Sequence, residues 1–266
     1  MTSVAQLCRL FARRIATVSI PLTDRDLVRY NRQIILPEFG EEGQKRLRQA
    51  TVFVAGAGGL GSPVSIYLAC AGICRITLVD YESVDLSNLN RQILHWEEDV
   101  GKKKVVSGNR KLRMLNSTVD VTPRVTRVTP ENVMELLDGV DLVMDCLDNM
   151  ESRFVLNEAC FRKGIPFIHG GLRGLMGEVT TIIPGETPCL ECLFPRRPDK
   201  LEPFPVFGAT AALVASLQVM EAIKLLAGFG KLLTGRMLYI NGGDMQFSSI
   251  QMKKNQQCRI CGGGVA

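Results

Sequence analysis

Four cysteines of this chain come as two pairs, Cys189-x-x-Cys192 and Cys258-x-x-Cys261, far apart in sequence. Thiolate quartets in this spacing select tetrahedral zinc. The protein would fill all four positions and leave none for water, so the expected site holds the fold together and does no chemistry. A second constellation is TVFVAGAGGLG, Thr51 to Gly61. Val52 to Ala55 suit a buried parallel strand, and Gly56, Gly58 and Gly61 form a G-x-G-x-x-G turn opening a helix. Glycines let backbone approach a ligand, and the free amides at a helix start carry roughly half a positive charge, so this turn is built for phosphate. Asp80 closes the next apolar strand, ITLVD, about 20 residues on, where an acid accepts hydrogen bonds from ribose hydroxyls.

Arg91 and Lys104 are expected where a triphosphate leaves the glycine turn, with Arg32 as a third cation. Three converging positive groups are costly unless a polyanion neutralises them. Asp145 and Asp148, in DCLDN at a strand's carboxyl end, are expected to face the same crevice. Asp148 is then the Mg²⁺ ligand, because magnesium takes one or two carboxylates plus phosphate oxygens. His95 and His169 show no acid-base partner in the sequence, and each reads as a hydrogen-bonded structural residue. No Ser-His-Asp or Cys-His spacing exists, so the chemistry rests on nucleotide, metal and positioning.

The elements that must hold these residues follow a βα alternation. Thr23 caps a helix expected over Asp24 to Ile34, and a second runs from Glu41 to Ala50. The helix after the turn covers Ser62 to Ala71 and stops at Gly72. Ser83 to His95, polar and turn-prone, reads as a functional loop. A basic helix over Lys102 to Leu115, a strand over Val119 to Val125, a helix from Pro130 to Leu137 and the strand Asp141 to Cys146 come next. A helix from Ser152 to Lys163 and the strand Pro166 to Gly170 complete the parallel part. Leu172 to Pro184 and Met237 to Met252 alternate as antiparallel strands. The expected fold is α/β, a Rossmann-like doubly wound sheet, mixed, with an antiparallel C-terminal extension and a structural zinc site.

At 266 residues and 46% hydrophobic content the chain can bury a large core. Its net charge of +5, from 32 basic and 27 acidic residues, comes without a Lys/Arg block interleaved with aromatics, so no nucleic-acid partner is expected. The uncharged stretch between Glu202 and Glu221 contains prolines and polar residues and reads as a buried helix, with no membrane partner. Nine cysteines, an odd number, point to a reducing, cytoplasmic setting. Residues 1–22 form a basic leader, whose composition fits either a docking helix or a targeting segment. Residues 23–266 form one domain.

The motifs RYNRQIILPEFG, VAGAGGLGSP, ITLVDYESVDLSNLNRQ, VGKKKV, DCLDN, TPCLECLFP, SLQVMEAIKLLAG and CRICG, in this order from about Thr23 to Gly262, resemble the ThiF/MoeB/HesA family, in its MoeB-like pattern. These are prokaryotic relatives of the ubiquitin-activating enzymes. The resemblance implies a homodimer that joins ATP to the C-terminal glycine carboxylate of a ubiquitin-like sulfur-carrier protein ending in Gly-Gly, releasing pyrophosphate. It implies that Gly59 and its neighbours hold phosphate and Asp80 the ribose. Ser87, Asn88, Asn90, Arg91 and Lys104 line the nucleotide, Asp148 and Asn149 serve the metal end, and Arg32 reaches the partner's site. Cys189, Cys192, Cys258 and Cys261 match the family's zinc ligands. The family often carries a cysteine where this chain has Leu201, so the enzyme is expected to stop at the acyl-adenylate. Molybdenum-cofactor, thiamine and other sulfur-transfer routes share these residues. The residues leave open a small-molecule or RNA-bound carboxylate, an NAD-dependent oxidoreductase, and a non-catalytic nucleotide-binding partner.

Overall fold

The computed structural model of the chain describes residues 21–194 and 205–262. All but the end of the expected leader, and Leu201, lie outside the described residues. An eight-stranded mixed sheet runs through them in the order β3-β2-β1-β4-β5-β6-β7-β8. The parallel strands are β1 (Thr51–Ala55), β2 (Arg75–Val79), β3 (Asp120–Arg124), β4 (Leu142–Asp145) and β5 (Phe167–Arg173). The strands β6 (Met176–Ile182), β7 (Arg236–Asn241) and β8 (Gln246–Gln251) add on antiparallel, as the alternating pattern predicts.

Strand alternation sends each residue to one of two cores. Val52 and Val54 of β1, with Leu142 and Met144 of β4, face one cluster. Phe53, Ala55 and Val143 face the other. The first face is covered by the helices Gly40–Gln49 (α3), Gly61–Ala71 (α4), Lys104–Leu115 (α5) and Gly208–Ala227 (α9). The second is covered by Val133–Leu136 (α6), Met150–Lys163 (α7) and Leu190–Leu193 (α8). With both faces covered, β1 and β4 need no polar side, which is why they read as continuous apolar runs.

The first expected helix is two, α1 (Asp24–Arg29) and α2 (Asn31–Ile34). It starts as predicted, with Thr23 and Asp26 forming a reciprocal capping box. It breaks at Tyr30, which is buried and accepts a hydrogen bond from Asn116 at 2.9 Å. Gly72, at φ +94° as the expected helix stop, packs so close to the Tyr30 ring that a Cβ there would fall 2.9 Å from it. The helix expected from Pro130 is a single turn beginning at Val133. The long apolar helix α9 is the one described helix that could span a membrane by length and composition. In the fold it packs on the sheet, with Gln218 donating to the Asp145 and Ile168 carbonyls and Glu221 accepting from Thr181 and the Leu233 amide.

Candidate active site

The glycine turn sits at the carboxyl end of β1, between β2 and β4. Gly56 takes φ +96°, and a Cβ on it would fall 2.6 Å from the Cys146 carbonyl. Gly61 lies so close that a Cβ would collide with the Gly56 carbonyl. Both glycines are therefore demanded by the backbone itself. Gly58 and Gly59 are the half-exposed members of an otherwise buried turn. Among the described residues their amides have no acceptor in the chain. Two unpaired amides before a helix of eleven residues are the kind of donor pair that an anion takes at a helix start.

Asp80 acts first on this turn. Its Oδ2 accepts from the Ala57 amide and its Oδ1 from the Glu82 amide, each at 2.8 Å. Burial pushes the Asp80 carboxyl up, while those two amides and the Lys104 charge pull it back. A half-buried carboxylate keeps further lone pairs for a ribose hydroxyl.

The loop after Asp80 folds as a short 3₁₀ turn, Leu86–Asn88, closed by Asp85 and Asn88. Ser87 is turned onto Asp85, its hydroxyl at 2.6 Å. Arg91 donates to the Ser87 carbonyl and to Asn90 Oδ1, both at 2.9 Å, so its guanidinium is held in place by its own loop. Its stem runs beside Gly59, where a Cβ would stand 3.6 Å from Arg91 Cγ. The amino end of α9 closes in here too, Gly208 lying where a Cβ would fall 2.6 Å from the Asn90 carbonyl. Lys104 is buried and ion-paired with the exposed Glu82.

Asp148 and Asn149 follow β4 at the same edge of the sheet. Asn149 caps α7 through Ser152, and its amide stands 3.4 Å from an Asp148 oxygen. The Asp148 carboxylate is exposed and acts with Asp80 on Tyr81, whose hydroxyl is pushed up by burial, Glu82 and both acids. One exposed carboxylate at the strand edge that carries the glycine turn is of the type Mg²⁺ takes alongside phosphate oxygens and water.

Two sequence expectations are corrected. Asp145 does not share the crevice with Asp148. Strand alternation turns it to the α7 face, fully buried, where Arg153 Nε lies 3.1 Å from Oδ2 and His169 Nδ1 lies 2.7 Å from it. Burial alone would raise the Asp145 carboxyl, but Arg153 and His169 outweigh it and hold it low. His169 does have acid partners, because its Nε2 also reaches Glu178 at 3.3 Å. Burial works against the imidazolium, yet the two carboxylates raise its pKa. Sequence reading missed Arg153 altogether. Its guanidinium donates to the Leu147 carbonyl and, at 3.0 Å, to that of Gly170, while Asp145 accepts from the Leu147 amide at 3.2 Å. The peptide group before Asp148 is thus clamped from beneath.

The three cations do not all meet within one chain. Arg32 is exposed on α2, whose Gln33 bonds the Ala71 carbonyl at the far end of α4. The glycine turn lies at the near end, about 16 Å away along eleven residues.

The four predicted cysteines do meet. Their Sγ atoms all lie within 4.8 Å of one another, with Cys189 to Cys258 at 3.6 Å and Cys192 to Cys261 at 3.3 Å. Four sulfurs around one zinc at about 2.3 Å stand about 3.8 Å apart, so the quartet fits that ion. Cys189 and Cys258 are core residues on the α7 face. Burial pushes the Cys189 thiol up, and that of Cys261 up to about 11, a penalty that a bound dication reverses. Arg259 pairs with Glu191 at 2.9 Å beside the cluster.

The family model described as ThiF family matches residues 30–260. The vegetative protein HesA of Trichormus variabilis is 41% identical over 244 residues, covering 91% of this chain and 92% of that one. The sulfur carrier protein adenylyltransferase of Thermus thermophilus is 40% identical over 250 residues, covering 90% and 92%. The crystal structure of E. coli MccB superimposes with a TM-score of 0.80 at 22% identity, over 98% of this chain and 87% of that one, a likeness of fold.

Proposed function

The chain belongs to the ThiF family, and from that premise we propose that it uses ATP to adenylylate the C-terminal glycine carboxylate of a ubiquitin-like sulfur-carrier protein, releasing pyrophosphate. It is an adenylyltransferase, the activity that the name of its Thermus thermophilus relative carries. The observation that carries the reading is the pair of unpaired amides at Gly58 and Gly59, with Arg91 braced alongside and Asp148 across the same strand edge. A dinucleotide oxidoreductase has no need of that second cationic loop or of a metal-ready carboxylate.

The chain's own residues would act by positioning and charge neutralisation. Amides of the turn and Arg91 hold the phosphates, Asp80 holds the ribose, and Asn88 and Asn90 shape the loop against the nucleotide. Lys104 exchanges Glu82 for a phosphate oxygen. No general base is needed, because a carboxylate is already an anion at neutral pH. Magnesium, which Asp148 would hold, would supply neutralisation of charge developing on the leaving pyrophosphate. Incubation with ATP and a carrier ending in Gly-Gly, followed by pyrophosphate release and mass spectrometry of the carrier, tests the reading. Exchange with ATP but no carrier adduct would redirect it to another carboxylate. No disulfide joins the described cysteines, and we take the setting to be cytoplasmic and reducing.

Arg32 belongs in this site through a second copy of the chain. It is exposed, it lies a helix length from its own turn, and Val28, Ile35 and Leu36 stand 81%, 60% and 45% exposed around it. An apolar patch beside a cation that has no local task suits a homodimer interface. Arg32→Ala and Asp148→Asn chains, each inactive alone, should recover part of the activity when mixed under conditions of subunit exchange. Two such mutants that exchange subunits and stay inactive together would exclude Arg32 from the neighbour's site.

A further inference from the structure

His95 lies behind the glycine turn and touches no surface that a nucleotide would reach. We propose that His95 is a positioning residue for the nucleotide, holding the Ala57 carbonyl inward so that the following amide, that of Gly58, faces the crevice. The proposal rests on the reading that this turn binds the phosphates of ATP.

The His95 ring is buried, with Nε2 2.9 Å from the Ala57 carbonyl and Nδ1 3.0 Å from Ser107 Oγ. A carbonyl only accepts, so Nε2 carries the proton. Burial, seconded by Lys111 and Lys104, pushes the His95 pKa down to about 4. The ring is therefore neutral at physiological pH, Nδ1 is an acceptor, and the Ser107 hydroxyl donates to it. Ser107 Oγ accepts in turn from Lys111 Nζ at 3.2 Å. That ammonium is ion-paired with buried Asp99 and lies 4.3 Å from the Trp96 ring centroid. The relay from Lys111 through Ser107 thus supports one tautomer of His95, the one that can donate to Ala57.

A trans peptide points its C=O and N–H in opposite directions, and no cis peptide occurs among the described residues. An inward Ala57 carbonyl therefore means an outward Gly58 amide. The local sequence does not enforce this. Flipping the Ala57–Gly58 peptide changes ψ of Ala57 and φ of Gly58, and glycine accepts either sign of φ. Asp80 fixes the other side of Ala57 by its amide. On the carbonyl side, among the described residues, only His95 and a longer contact from Ser62 Oγ at 3.4 Å hold it.

The test compares His95→Ala, His95→Gln and Ser107→Ala by calorimetric titration with ATP and by KM and kcat in pyrophosphate exchange. Loss of one buried hydrogen bond predicts roughly tenfold weaker ATP binding in His95→Ala. An amide that holds ground and transition states alike predicts kcat at saturating ATP within about twofold of wild type. His95→Gln, whose amide can donate to the same carbonyl, should recover most of the affinity, and Ser107→Ala should fall between. Wild-type ATP affinity in His95→Ala, or equal losses in the Ala and Gln variants, would overturn the proposal. Should His95→Ala fail to fold, an unchanged ATP affinity in Ser107→Ala overturns it as well. Wild-type protein that binds ATP but exchanges no pyrophosphate would refute the adenylylation reading alone, and the titration series would still decide His95. Wild-type protein that binds no ATP would refute both.

Discussion

Asp148→Asn is expected to abolish ATP–pyrophosphate exchange, with a loss on the order of a thousandfold, while the protein remains folded. The amide keeps the shape of the carboxylate and removes the charge that would hold Mg²⁺ beside the phosphates, worth several kcal/mol to the transition state. The fold should be indifferent. The Asp148 side chain is exposed, and its one hydrogen-bond partner among the described residues is the neighbouring Asn149 amide at 3.4 Å. The backbone around it is held by other groups, the Asp145 carboxylate at the Leu147 amide and the Arg153 guanidinium at the Leu147 carbonyl. Thermal melting should therefore superimpose on wild type when exchange is gone. Near-normal exchange in this variant would remove Asp148 from the site.

The exposed place of Asp148 after β4 was legible from sequence and the buried place of Asp145 was not, and the difference is physical. An acid after a buried strand in a doubly wound sheet points toward the crevice by topology alone. An acid within the strand goes to whichever face the alternation sends it, and Leu142 to Cys146 carry too few polar positions to reveal which. Its partners arrive from elsewhere. Arg153 comes from the next helix and His169 from the next strand, so the sequence shows the three apart where the sheet brings them within hydrogen-bond distance. The same holds for His95, whose partners Ala57 and Ser107 lie on different elements.

The layered fold was legible because its signals are local. Continuous apolar strands, Thr23 as a cap and Gly72 as a stop need only their neighbours, and the structure has all three. The break at Tyr30 is a packing event between helices, set by Gly72 and Asn116. Nothing in DRDLVRYNRQI announces it. The cations were half legible: sequence placed Arg91 near the turn, and the single chain keeps Lys104 on Glu82 and Arg32 at the far end of α4.

Removing the metal expected in the cysteine quartet should unfold the tail and much of the face it covers. Binding by such quartets contributes on the order of 10 kcal/mol to folding, comparable with the whole stability of a domain. Cys189 and Cys258 are themselves members of the α7-side core, so four unligated thiols would leave a defect in that core as well as a free chain end. The Arg259 to Glu191 pair is exposed on the Arg259 side and is too weak to hold the end by itself, since such pairs contribute about 0–1 kcal/mol. Changing Cys258 and Cys261 to Ser, or exhaustive chelation, should therefore lower the melting temperature sharply. ATP binding at the glycine turn should persist at temperatures where the remaining fold survives. Elemental analysis of freshly purified protein should find one zinc per chain. Protein that holds no zinc, or a double variant that melts with wild type, would show that the four thiols hold this fold without a metal.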